Sequence, residues 1–176
     1  QVQQARALFV ALDDQRGRIE ADLIAIQTAL DIGDASSAAA LVATLAATEI
    51  GSREHQAMLW QRRAELALLE GNFDIARQHA AEALEVADAS RSLGHALLAR
   101  ILLAEAEFAL AKPTAARAAL VEAHAHLARY ASVPLRLRLL EADIRVDPAL
   151  AAVRYREAQA ELARWPRYGR AALLHL

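Results

Sequence analysis

The chain has 176 residues, enough for one domain with a sizeable core, and its net charge of −2 removes any global electrostatic drive toward nucleic acid. It has no cysteine, which excludes disulfides and thiolate metal sites but leaves the redox compartment open. Apolar residues make up 56% while aromatics are only 5%; the excess is alanine and leucine, the leading helix formers, which points to an all-α protein. The basic residues are nearly all arginine, with Lys112 the only lysine, a pattern of GC-rich coding rather than of phosphate contacts.

The segment from about Val2 to Asp31 reads as a single long helix, weakened at Gly17 by roughly 1 kcal/mol relative to alanine. "DIGDAS" stops and restarts the chain: Gly33 suits a left-handed C-cap, and Asp34 or Ser36 the next N-cap. A second helix follows over 35–49. Gly51 and Ser52 repeat the break, and a third helix runs to about Glu70. Gly71 and Asn72 then turn the chain, and Asp74 starts a fourth helix lasting to about Asp88. After "DASRS" a fifth helix spans 92–111. Pro113 fits the first turn of a sixth, where its missing N–H costs nothing. That helix ends near Ala131. Pro134 opens a seventh and Pro148 an eighth, which Trp165-Pro166 closes; 167–176 forms a cap or short final helix. "PLRLRLL" (134–140) alternates like a strand, but Leu140, Ala142 and Ile144 continue it at helical spacing, so helix is the better reading.

The helices fall into pairs over about 2–49, 52–88, 92–131 and 134–165, within a single domain covering 1–176. A small residue follows each turn early in the second helix: Ala38, Ala76, Ala116, and Ala151 or Ala152. The resulting period of about 35 to 40 residues lies in the range of helical solenoids. In the second pair Trp60, Ala64, Ala67, Gly71, Phe73, Ala76, Ala80 and Ala83-Leu84 resemble the tetratricopeptide (TPR) repeat pattern. The first pair keeps Gly33, Asp34, Ala38, Val42 and Leu45. The third keeps Ala104, Ala116, Leu120 and Ala123, with Lys112-Pro113 at its turn, and the fourth has Asp147-Pro148. The resemblance spans about 19–165 and is similar to TPR-like sensor and interaction regions of bacterial signalling and regulatory proteins. It implies a right-handed α-solenoid of about four antiparallel helix pairs. A closed helical bundle is the architectural alternative.

Chemistry-bearing motifs are scarce. The glycines are scattered, so no phosphate loop is formed, and there is no nucleophile elbow. His124 and His126 point about 200° apart on a helix, and His55, His79 and His95 lie in no metal-binding spacing. Asp13-Asp14, Glu20/Asp22 and Glu105/Glu107 do not face one another on a helix. The serines read as caps. "RWPRYGR" (164–170) mixes arginines with rings as single-strand binders do, but the acidic balance favours a helix-end cap. The expectation is therefore no enzyme, no cofactor, no metal, no nucleic acid and no membrane contact.

By resemblance, the first helix of each pair lines a concave groove. The position eleven residues before each early alanine is Gln27, Glu65, Glu105 and, with Ala152 as anchor, Glu141 (Leu140 with Ala151). Glu65, Glu105 and Glu141, beside Gln61 and Ile101, are expected to form an acidic lane for a basic or amide-rich peptide. The competing reading pairs these acids with nearby arginines such as Arg62. The function expected is a non-enzymatic protein-interaction module of a larger regulatory or assembly protein. The alternative is a ligand-sensing domain of a transcriptional regulator, binding a small molecule between repeats. The apolar end "AALLHL" (171–176) is a candidate for self-association. The expected compartment is the cytoplasm, or the periplasm if the chain, which opens on Gln1, is a piece of an exported or membrane protein.

Overall fold

The computed structural model describes residues 2–12, 14–130 and 132–164. The chain is all-helical, with no strand among the described residues. The helices are α1 (Val2–Ala11), α2 (Gln15–Asp31), α3 (Ala35–Ala46), α4 (Arg53–Leu69), α5 (Phe73–Ala89), α6 (Leu93–Ala109), α7 (Pro113–Leu127), α8 (Val133–Val146) and α9 (Ala151–Arg164). A 3-10 turn, Pro148–Leu150, precedes α9, so Pro148 opens that turn rather than the helix itself. "PLRLRLL" lies within α8 and is helical. The expected cap or helix over 167–176, the aromatic-basic "RWPRYGR" beyond Arg164 and the associating tail 171–176 lie outside the described residues.

The first segment is two helices, not one. Asp14 accepts a hydrogen bond from the Gly17 amide at 2.9 Å, capping α2 and ending any continuation from α1. Gly17 sits in the first turn of α2 against Phe9; a Cβ there would overlap the Phe9 ring and the Asp14 carboxylate. The glycine thus admits a close α1–α2 approach, rather than merely softening a long helix.

Four turns share one geometry. After α2, α4, α5 and α6 the chain passes through a left-handed residue: Gly33, Gly71, Arg91 and Ala111, with φ of 74°, 77°, 56° and 58°. Each amide bonds back three residues, and the next amide bonds back five, as in Asn72 N–H to the Ala67 carbonyl at 2.8 Å and Lys112 N–H to Glu107 at 2.9 Å. This is the Schellman arrangement, which satisfies carbonyls that a helix end leaves free. Asn72 takes the N-cap position of α5, so that helix begins at Phe73 rather than Asp74. Only two of the four left-handed residues are glycine, although an alanine in that conformation costs about 1–2 kcal/mol. Ala111 is exposed. Ala111→Gly is therefore expected to stabilise the protein by about 0.5–1 kcal/mol, and Gly71→Ala to destabilise it by about 1 kcal/mol. Urea midpoints check both; a destabilised Ala111→Gly variant would refute the account.

Packing follows chain order. Each helix from α2 to α9 touches its neighbour, and α2–α4, α4–α6 and α6–α8 also touch. Among the described residues α3–α5, α5–α7 and α7–α9 do not. The core is a row of adjoining clusters. Leu23, Ile26, Val42 and Leu45 fill α2–α3–α4; alanine-rich clusters fill α4–α5–α6; Leu97, Ile101, Leu120 and Leu139 fill α6–α7–α8. On α5, Ala76, Ala80, Ala83 and Ala87 form one fully buried stripe at spacings of four, three and four. Side chains this small let α5 lie close to α4 and α6. Ala38 and Ala116 are equally buried at their early positions. The fourth pair departs from this pattern. Ala151 is half-buried and Ala152 exposed, because the 3-10 turn shifts the start of α9; its buried alanine is Ala158.

Candidate functional site

The matched positions of the first helices meet in one groove of about 920 Å³. Gln27 comes from α2, Glu65 from α4, Glu105 from α6 and Glu141 from α8; Leu140 also lines it, although mostly buried. Apolar walls come from Leu30 of α2, Leu68 and Leu69 of α4, Phe73 of α5 and Phe108 of α6. Leu137 and Ile144 of α8 and Tyr155 of α9 complete them. Two residues expected beside this lane are elsewhere. Ile101 is fully buried in the α6–α7–α8 core. Gln61 is fully buried too; its amide donates to the His95 carbonyl at 2.9 Å and its oxygen faces His95 Nδ1 at 3.2 Å. On α4 and α6 these two positions lie four residues before the groove residues, yet they turn toward neighbouring helices.

The acids do not form an open acidic lane, because arginines are interleaved with them. Arg62 bonds Glu65 from one turn away on α4. Arg138 of α8 bridges two helices, bonding Glu65 at 2.5 Å and pairing with Glu105 at 3.7 Å. Arg145 bonds Glu105 at 2.9 Å and Glu141 at 2.8 Å. Three carboxylates and three guanidiniums therefore alternate across α4, α8 and α6. Arg138 and Arg145 are groove residues that the sequence reading did not place there. The signal was present: Arg138, Glu141 and Arg145 are three and four residues apart, one face of a helix.

Electrostatics differ along this ladder. Burial pushes the Glu65 carboxyl upward, but Arg138 and Arg62 together outweigh it and hold Glu65 below the ordinary glutamate range. Glu105 is pushed above that range, by burial first and by its neighbours Glu141 and Glu65, which Arg138 and Arg145 do not cancel. For Arg138 burial acts against the charge, yet Glu65 and Glu105 win and strengthen its hold on the proton.

Outside the groove, polar side chains tie helices together. Asp143 is buried between His124 Nε2 and Arg154 Nε, each at 2.8 Å. Arg100 joins Asp88 and Glu122. The Arg63 guanidinium lies 4.5 Å above the Trp60 ring, which also packs against His79. Burial lowers the proton affinity of His79, with Arg63 adding to the effect. It also lowers that of His95, although Glu54 opposes it. An unfolded histidine takes up its proton near pH 6.5, before these two do when folded. Their contribution to stability is thus present above about pH 6.5 and lost as pH falls through their folded values. Glu105 has the opposite sign: its raised proton affinity favours the folded state at low pH. The urea midpoint is expected to fall from about pH 7.5 to about pH 5.5, and the double variant His79→Gln/His95→Gln to flatten that fall. An unchanged slope in the double variant would refute the assignment.

Among the described residues no group of three His, Asp or Glu side chains is placed to hold a metal ion, and no helix is long and apolar enough to cross a membrane. Comparison with protein-family models, with curated proteins and with solved structures finds no match.

Proposed function

We propose that this chain is a non-enzymatic interaction module, a right-handed α-solenoid of the tetratricopeptide type, that receives a segment of a partner protein in its groove. In this reading it serves a larger regulatory or assembly protein. The carrying observation is that four successive first helices present Gln27, Glu65, Glu105 and Glu141 to one trough. The α2–α4–α6–α8 contacts, without matching contacts among the second helices in the described residues, support a curved stack over a closed bundle. Glu65, Glu105 and Glu141 are engaged with Arg62, Arg138 and Arg145, so affinity comes mainly from the apolar walls, with the ladder supplying hydrogen-bond partners at its edges. The charge-matched ladder replaces the acidic lane as the polar element of recognition.

A sensing role is the second reading. A volume of about 920 Å³ falls within the span of small-molecule pockets, and polar groups converge on Arg138. Selection from a random peptide library on the intact chain separates the two. Peptide binding is expected, and Phe108→Asp is expected to abolish it while helical circular dichroism is retained. If no peptide is selected and only small metabolites raise the melting temperature, sensing replaces interaction.

A further inference from the structure

Within the groove, α2, α4 and α6 end at the same edge, where Asp31, Leu69 and Ala109 line it. A helix C-terminus carries a partial negative charge that lysine, arginine or protonated histidine ordinarily offsets. None of these three helices has a basic residue in its last turn. Acids stand there instead: Asp31 is the last residue of α2 and Glu70 the residue after α4, both exposed. Among the described residues neither is paired with a cation; Asp31 accepts from the Gln27 amide and Glu70 from Asn72. Arg145, the basic residue at the end of α8, is already held by Glu105 and Glu141. Apolar side chains adjoin this edge, with Ile32 75% and Leu69 46% exposed. At α6 the cation is Lys112, just past the helix and paired with Glu107; the α2 and α4 ends carry the unpaired acids, the middle of the trough is charge-matched, and its walls are apolar.

We propose, resting on the groove-binding reading above, that the trough takes a partner segment with lysine or arginine clustered at one end and apolar side chains behind. The basic end docks on the ends of α2 and α4 beside Asp31 and Glu70, and the apolar side chains lie toward Phe108. Charge complementarity fixes the direction in which the segment enters; the ladder of Glu65, Arg138 and Glu105 stays intact beneath it. Peptides selected from the random library are expected to carry basic residues at one end. Changing those residues to glutamine is expected to weaken binding about tenfold, and the variant Asp31→Lys/Glu70→Lys to weaken the basic peptide similarly. The glutamine peptide should bind both proteins alike. Acidic or uncharged selected peptides, or an Asp31→Lys/Glu70→Lys variant that binds the basic peptide as wild type does, overturn the inference. Peptides that ignore the charge changes yet fail on Phe108→Asp overturn only this inference and leave the groove reading standing. No selectable peptide at all overturns both.

Discussion

Replacing Arg138 by methionine is expected to cost about 3 kcal/mol of unfolding free energy at neutral pH. For a chain of this length that lowers the melting temperature by about 6 to 12 °C. The loss is large because two nearly buried carboxylates share this one guanidinium. Glu65 and Glu105 have side chains only 8% and 10% exposed, on different helices. Removing the cation leaves Glu65 with Arg62 and Glu105 with Arg145, in a setting where burial already disfavours charge. Methionine keeps much of the stem, so lost packing is the lesser part. Two controls isolate the electrostatics. The penalty should shrink in acid, as the stranded carboxyls take up protons. The double variant Glu65→Gln/Arg138→Met should be more stable than the two single losses summed predict, by about 1 kcal/mol or more. Additive losses would mean that the bridge between α4 and α8 contributes little.

The second large effect is expected at Ile101, which stands fully buried in the middle of α6 against α7 and α8. Ile101→Ala should cost about 2–5 kcal/mol, since the surrounding Leu97, Leu120 and Leu139 are held on three helices and cannot collapse into the gap. Val153→Ala, at a site 45% exposed, should stay within about 0.5 kcal/mol. Denaturant unfolding measures both. Peptide affinity under conditions where Ile101→Ala remains folded should match wild type. A large affinity loss there would return Ile101 to the groove, against its burial.

Acid sensitivity and the turn substitutions probe the same fold from other directions. Burial lowers the proton affinity of two histidines at helix contacts, His79 on α5 and His95 on α6. The left-handed alanine at position 111 has the same turn geometry as Gly71 without the residue that tolerates it most easily. The four turns keep one backbone geometry while the residues that build them differ.

What the sequence alone determined was local. Alanine and leucine periodicity, Gly33 and Gly71, Pro113 and Pro134 placed most of the helices, because helix propensity, caps and left-handed turns depend on a few neighbouring residues. Counting back eleven residues from the buried Ala38, Ala76 and Ala116 also reached Gln27, Glu65 and Glu105, all of which line the groove. The α1–α2 break was not legible, because Gly17 reads as a weak helix position until Phe9 is seen packed on it. Only the tertiary structure decided what the groove is. Arg138 meets Glu65 across 73 residues of chain, and neighbouring helices cover Gln61 and Ile101 while the residues four positions on line the trough. Charge pairing across that distance depends on how helices stack, and one-dimensional spacing cannot carry it; the lane that reads as acidic along the chain is neutral in space.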